Sequence, residues 1–320
     1  MKTAVTYAPP TLLAVADDPA DFEPARPAVA SLGRPAAYLA LTKPRIAVMV
    51  LITVAVGYLL GAHGRVDVLA LTLTMIGTGA VAAGASVWNQ VIERDRDARM
   101  KRTAQRPIPA GIVGVIEAAV FGTILAVGGT ALLAYVAPNL AAASVAAATF
   151  LLYVGVYTPL KPLTTLNTAV GAVPGALPPV IGWAAATGRL GLEPFALFLI
   201  VFLWQFPHFL AIAWIHRDDY ARGGHKMLPN VDPDGSMTGR QALWHAVELI
   251  PAGLLPWAIN LGGWWYLGGA LALGFYYANY AARFCLDVND QTARRLLRAS
   301  FLYLPAILLL LLLNPGSPAK

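Results

Sequence analysis

Apolar residues fall in nine long runs separated by short polar clusters, at 45–63, 69–92, 112–136, 139–157, 166–186, 193–215, 242–260, 263–283 and 299–314. A helix needs about 20 mostly apolar residues to cross a bilayer, and most of these runs reach or approach that length. The pattern predicts an all-α fold, a polytopic membrane helical bundle of about nine transmembrane helices. The sixth run ends in a polar cluster that begins at His216. The seventh is the least regular, carrying Glu248, Pro251 and Pro256. Proline inside a span is tolerated because neighbouring helices satisfy the freed backbone groups. No interval between runs holds a soluble domain, so residues 36–320 read as one membrane domain.

Residues 1–35 are rich in Ala and Pro and carry Asp17, Asp18, Asp21 and Glu23. The apolar segment 11–16 is too short for a signal-peptide core, and the acids argue against a transit peptide. The expectation is a loosely ordered cytoplasmic tail on a protein of the bacterial plasma (inner) membrane.

Composition agrees with the pattern. Apolar residues make up 58% of the 320 and charged residues 12%, about half the charge of a soluble domain; the mean hydropathy is +0.61. A disordered chain, a disulfide scaffold and an ordinary cytosolic enzyme are excluded on these grounds. The lone Cys285 can form no internal disulfide. The net charge of +6 raises the question of nucleic acid, but its distribution answers it. With nine spans and a cytoplasmic amino terminus, 20 of the 23 basic residues lie on the cytoplasmic side, and only Arg65, Arg189 and Lys320 do not. That asymmetry is the orientation signal of a membrane protein, and no nucleic-acid partner is expected.

Two polar clusters carry the candidate chemistry. The first closes the second run, with Asn89, Glu93 and Asp97 spaced by four. Each step of four turns a helix about 40° past a full circle, so the three share a face and span about 12 Å. Asp95 lies about 200° from Glu93, on another face. Oxygen donors at a membrane edge suit Mg²⁺, which prefers a few carboxylates together with phosphate and water; a solvated helix end is the plainer alternative. The second cluster follows the sixth run, from Trp204-Gln-Phe-Pro-His208 to His216-Arg217-Asp218-Asp219, and continues through Gly223-Gly-His-Lys226. Both clusters follow even-numbered spans and so leave the membrane on one side. His208 and His216, eight apart, lie on roughly one face and point to a pocket as readily as to packing. Glu117 and Glu248 are isolated, and structural pairing is expected for both.

At these residues the chain resembles the UbiA superfamily of intramembrane prenyltransferases, and within it the branch whose acceptor is haem. The first cluster through Arg106-Pro107 carries the general likeness. Leu41-Thr-Lys43-Pro-Arg45, Tyr157-Thr-Pro-Leu-Lys161, Asn167 with Gly171-Ala-Val-Pro-Gly175, Trp204 to Phe209 and Gly223 to Lys226 carry the narrower one. These matches run from about residue 38 to 231. Two departures stand out: Glu93 where related enzymes usually have Asp, and His216 where their second motif opens with an acid.

The resemblance implies transfer of a farnesyl group from farnesyl diphosphate to a vinyl group of haem b, with addition of water. The products would be haem O and diphosphate, a step toward haem A and cytochrome oxidase assembly. It implies Mg²⁺ on Asn89, Glu93 and Asp97, with Asp219 and Asp218 assisting a second ion. Lys101, Arg102, Lys161, Arg217 and Lys226 would contact the diphosphate, and Lys161 and Asp219 would belong to the catalytic set. His208 and His216 would serve haem. Trp88, Tyr153 and Tyr157 are candidates to shield allylic cation character or simply to pack. The expected partners are haem b, farnesyl diphosphate, the lipid bilayer and the downstream haem A synthase. Two rival readings are a prenyltransferase acting on an aromatic ring, such as a quinone precursor, and a secondary transporter. The acids cluster at one face and the spans show no obvious repeat, which disfavours transport.

Overall fold

The structure, a computed structural model, describes residues 33–316. In chain order it runs α1 (Arg34–Leu41), α2 (Pro44–Gly61), α3 (Val68–Asp97), α4 (Val115–Val136) and α5 (Ala141–Leu151). A π-helical turn, Leu152–Tyr157, leads from α5 into the single turn α6 (Thr158–Leu160). Then come α7 (Asn167–Ala176), α8 (Pro178–Thr187), α9 (Leu192–Ile215), α10 (Arg217–Arg222) and α11 (Leu228–Val231). The long helices α12 (Ser236–Ala258), α13 (Trp264–Leu286) and α14 (Asp290–Leu313) complete the bundle.

Seven helical segments meet the length and composition of a membrane span, counting α5 to α6 and α7 to α8 as one each. The helices α12 and α13, 23 residues each, supply two further long rods at the positions of the seventh and eighth runs. Their polar and Trp/Tyr-rich composition keeps them below the hydropathy of the seven. Of the nine expected spans, seven therefore have the length and composition of one.

Several helices outrun their apolar cores. The last was expected from 299 but begins at Asp290, because the Asn289 side chain accepts from the backbone N–H of Gln291 and Thr292 and caps it there. The seventh starts at Ser236 rather than 242, and α3 continues to Asp97 rather than stopping near 92. Hydropathy marks the length immersed in lipid, whereas caps mark where a helix ends. Its 30 residues make α3 roughly 45 Å long, enough to carry its last turns beyond a hydrocarbon core of about 30 Å.

Most of the expected tail, residues 1–32, lies outside the described residues. At its expected edge Pro35 occupies the first turn of α1, where a missing N–H costs nothing. This helix buries Ala37 and Leu41 against Val87 and Val91 of α3 and Ala118 of α4. Glu117 on α4 anchors it, accepting from Arg34 at 2.7 Å and from the Tyr38 hydroxyl. The expectation of structural pairing holds for Glu117.

Close helix crossings use the smallest side chains. A Cβ on Gly57 of α2 would lie 2.0 Å from the Pro179 carbonyl oxygen of α8, and one on Gly182 equally close to the Val54 oxygen. Such backbone approach substitutes for the hydrophobic drive that lipid does not supply. On the other side of the bundle, Tyr266, Tyr277 and Tyr303 are fully buried among α9, α12, α13 and α14.

Candidate active site

The acidic ladder emerges where α3 leaves the apolar layer. Asn89, Glu93 and Asp97 are all buried, at 1%, 4% and 0% exposure, whereas the Asp95 side chain is 79% exposed. The helical-face argument therefore holds for the backbone and for the environment of each side chain.

Each rung of the ladder meets a basic side chain from another segment. Asn89 Nδ2 donates to Glu93 Oε2 at 2.8 Å and to Thr158 Oγ1 at 3.3 Å, while Asn89 Oδ1 accepts from Lys43 Nζ at 3.0 Å. Lys161 Nζ lies 2.8 Å from Glu93 Oε1. Arg106 Nη1 donates to Asp97 Oδ2 at 2.6 Å. Lys43 precedes α2, Arg106 lies in the loop after α3, and Lys161 follows α6. Three segments distant in sequence thus converge on one end of the bundle.

Local structure explains how each cation arrives. Lys43 sits between α1 and α2 in a left-handed conformation (φ 50°), an uncommon backbone for lysine that is held from both sides. On one side Gln90 Nε2 donates to the Leu41 carbonyl at 2.8 Å; on the other Pro44 opens α2. Lys161 follows the π-turn, a feature that recurs at functional sites. There Thr158 Oγ1 donates to the Tyr153 carbonyl at 2.8 Å. The Tyr153 and Tyr157 rings lie 5.3 Å apart, and the Lys161 ammonium stands 4.7 Å from the Tyr157 ring centre. A side chain at Gly171 would meet that ring at 2.5 Å, so α7 provides its seat.

The second cluster joins the first through Asp219. Its Oδ1 accepts from the Lys101 backbone N–H at 2.9 Å and from Arg222 at 2.6 Å, and its Oδ2 accepts from the Arg102 N–H at 3.3 Å. Burial works against the charge, but Arg222 and the two N–H groups outweigh it and hold the Asp219 pKa below the usual aspartate value. As placed, Asp219 brackets α10 to the loop after α3. Asp218 is exposed. Arg217 pairs with Asp290 of α14 at 2.8 Å and stacks on Trp214. The Lys101 and Arg102 side chains are exposed, and Arg102 lies over the Tyr220 ring at 5.6 Å. Lys226 is brought beside Lys161, its N–H donating to the Lys161 carbonyl at 2.8 Å. Asn167 Nδ2 donates to the Lys226 carbonyl at 2.9 Å.

The two expected histidines do not come together. His208 is buried between α9 and α14, with Nδ1 2.7 Å from Ser300 Oγ and its ring stacked on Trp204. His216 is half-buried at the end of α9, and burial and Arg102 lower its pKa.

Three site residues escaped the sequence reading although each stood inside a quoted motif: Lys43, Arg106 and His225. Burial, with Arg106 and Lys161 nearby, lowers the Lys43 pKa to about 7. His225 is 4% exposed, its Nδ1 has no hydrogen-bond partner, and burial lowers its pKa to about 4. For Lys161 burial opposes the ammonium, but Tyr157 and Glu93 overcome it and raise the pKa.

The donor set fits Mg²⁺. Asp97 Oδ1 is buried with no hydrogen-bond partner, and Glu93 Oε1 faces only the Lys161 ammonium. Among the described residues no three His, Cys, Asp or Glu side chains form a complete metal cage. Two carboxylates and an amide oxygen are the partial, all-oxygen set that Mg²⁺ completes with phosphate and water.

The sequence profile described as the UbiA prenyltransferase family matches residues 50–305. A protoheme IX farnesyltransferase of Solibacter usitatus is 44% identical over 289 residues, covering 87% of this chain and 99% of that protein. One from Salinibacter ruber is likewise 44% identical, covering 87% and 98%. The mitochondrial protoheme IX farnesyltransferase of Arabidopsis thaliana is 39% identical over 90% of this chain and 67% of its own length. Among solved structures, a digeranylgeranylglyceryl phosphate synthase superposes with a TM-score of 0.75 at 19% identity, covering 88% of this chain and 99% of that one. A UbiA homologue from Archaeoglobus fulgidus bound to GPP and Mg²⁺ gives 0.58 at 15%, covering 86% and 99%.

Proposed function

The chain belongs to the UbiA prenyltransferase family, and from that premise we propose that it is a membrane-embedded protohaem IX farnesyltransferase. It transfers the farnesyl group of farnesyl diphosphate to a vinyl group of haem b. A carbon–carbon bond forms at the vinyl terminus, the allylic C–O bond breaks, and water supplies a hydroxyl to the inner vinyl carbon while its other hydrogen leaves as a proton to solvent. Haem O and diphosphate result. The observation that carries this reading is the near full-length likeness, at 44% identity, to proteins bearing that name. The convergence of acids and bases at one end of the bundle supports the same chemistry.

An allylic diphosphate departs readily only when its growing negative charge is neutralised. Bound Mg²⁺, held by Asn89, Glu93 and Asp97, supplies Lewis-acid neutralisation of that charge. Lys161 and Arg106 present fixed cations to the diphosphate oxygens, Lys43 adds an ammonium donor beside them, and Lys226 and Arg102 reinforce them from the rim. The Tyr157 ring, which already faces the Lys161 ammonium at 4.7 Å, offers a π face to allylic cation character. On the acceptor side His208 is the candidate haem contact: Ser300 engages its Nδ1, leaving Nε2 for iron or a propionate. We place the protein in a bacterial plasma membrane with its amino terminus cytoplasmic, on the strength of the charge asymmetry. The haem A synthase that consumes the product is a partner in this reading.

The test is direct. Purified protein is incubated with haem b, farnesyl diphosphate and Mg²⁺, and the extracted haems are weighed by mass spectrometry. A haem heavier by a farnesyl group and a hydroxyl is expected. Unchanged haem, with farnesylation of a phenolic quinone precursor instead, would overturn the assignment of the acceptor.

A further inference from the structure

His225 is a buried titratable group that the chemistry above leaves unused. The Gly223–Gly224 turn puts it inside the protein. Gly224 takes a left-handed conformation (φ 68°), and a side chain at Gly223 would meet Met100 Sδ, in the loop after α3, at 2.8 Å. The His225 N–H then donates to the Tyr220 carbonyl at 3.0 Å, and its neighbour Lys226 is tied to the Lys161 carbonyl at 2.8 Å. The ring is 4% exposed and stands edge-on to Tyr220, with ring centres 6.0 Å apart. The charges that act on it most strongly are those of Glu93 and Lys161, with Arg96 and Arg102 behind them. Its Nδ1 is buried without a partner. A buried nitrogen left so destabilises the fold, and a phenyl ring of similar shape would avoid that cost.

The proposed reaction needs a proton acceptor at this place. Once the carbon–carbon bond closes at the vinyl terminus, positive charge rests on the inner vinyl carbon. The reacting carbons lie beside the breaking allylic C–O bond, and so at the cradle. A water oxygen gives a lone pair to the cation and becomes an oxonium, which must lose one proton. Glu93 and Asp97 already face Lys161 and Arg106, at 2.8 and 2.6 Å. We propose that His225 is the general base of this hydration step: the lone pair of its unprotonated ring nitrogen takes the proton of the attacking water as the alcohol C–O bond forms. Lys161, Arg96 and Arg102 disfavour a lasting imidazolium, so the ring hands the proton on. Gly224 and Lys226, on either side of it, are exposed, and solvent is one residue away. Burial that lowers the pKa to about 4 leaves the imidazole neutral before the step, yet far more basic than a protonated alcohol. The role rests on the function proposed above and goes beyond it, because it assigns the fate of the cation to one side chain. That cation has a second exit. Loss of a proton from the adjacent CH₂ to the departed diphosphate gives an alkenyl haem, lighter than haem O by one water.

The experiment uses the full chain in detergent with haem b, farnesyl diphosphate and Mg²⁺, and separates the haem products by liquid chromatography and mass spectrometry. The parent should give haem O. His225→Phe, which keeps the bulk of the ring, should form haem O about a hundredfold more slowly, the lower end of what a general base contributes. Its main product should be the alkenyl haem, and its farnesyl diphosphate affinity, read by equilibrium dialysis, should stay parental. His225→Ala should show the same shift of product, and added imidazole should restore the alcohol. An unchanged rate of haem O formation in His225→Phe would overturn the proposal and give the proton to diphosphate. Equal loss of both products, with weakened farnesyl diphosphate binding, would make His225 part of the diphosphate site and overturn it as well. If His225→Phe fails to fold, His225→Gln, which keeps a polar group but is no base, carries the same test. A parent that leaves haem b unmodified would instead overturn the proposed function, and this role with it.

Discussion

Asp219 separates two accounts of the second cluster: a metal ligand or a bracket. The carboxylate accepts from two backbone N–H groups, at 2.9 and 3.3 Å, and from Arg222 at 2.6 Å. A hydrogen bond to a charged group contributes about 1.5–3 kcal/mol, and the longer of the two backbone bonds belongs at the low end. The Arg222 side chain is 38% exposed, so solvent screening holds its pairing to under about 1 kcal/mol. Together these bonds contribute about 4 kcal/mol. Asp219→Ala should lose most of that in denaturant unfolding from detergent micelles, and Asp219→Asn about half, because its amide oxygen can still accept from Lys101. The folded-state pKa lies below the ordinary aspartate value, so this stabilisation is present above that ordinary value. It fades as pH falls through the folded value, and the variants should lack that acid-side loss. The decisive reading is kinetic. The bracket holds the loop that carries Arg106, so turnover at saturating Mg²⁺ should fall while the Mg²⁺ concentration for half-maximal rate stays unchanged. A rise of about tenfold or more in that concentration, with stability intact, would refute the bracket and restore Asp219 as a ligand.

Asp97→Asn should abolish turnover without preventing membrane insertion, whereas Asp95→Asn, on the exposed face, should keep near-parental activity in the haem assay; equal losses would refute the facing argument. Gly57→Ala, which puts a methyl 2.0 Å from the Pro179 oxygen, should lower the thermal unfolding midpoint by the equivalent of about 1–3 kcal/mol; Gly128→Ala, with nothing within 4 Å, should not. His225 has a pKa lowered to about 4 by burial, so the unfolded chain takes up its proton first and stability should fall as pH drops from about 6.5 toward 4. His225→Phe should flatten that slope in a pH series of unfolding midpoints. His208→Ala should weaken haem b binding, seen as an altered Soret band, while farnesyl diphosphate affinity measured by dialysis stays close to parental; the reverse pattern would move His208 to the diphosphate side.

Much of the architecture was legible from residue order alone, because partition into lipid and helical periodicity are local properties. A run of apolar residues declares a span wherever it lies, and spacing by four put Asn89, Glu93 and Asp97 on one face before any fold was known. The parity of spans likewise assigned Lys43, Asp97, Lys161 and Asp219 to one end. Residue order did not determine which charge meets which. Lys161 reaches Glu93 across 68 positions, and Asp219 reaches the 101–102 backbone across more than a hundred. Many basic residues were available on that side, and only the packing of α7 under Tyr157 and of α1 under α4 selects Lys161 and Lys43. Arg217 meets Asp290 for the same reason: an ion pair goes to whichever partner the folded backbone brings within about 4 Å, and spacing along the chain carries no information about that distance. Helix ends followed a third rule. Capping and solvent decided them, so α3 and α14 extend past the apolar runs that revealed them. The ladder's last rung, Asp97, stands on that extension, where the tertiary structure surrounds it with Arg106 and turns a polar helix end into a buried site.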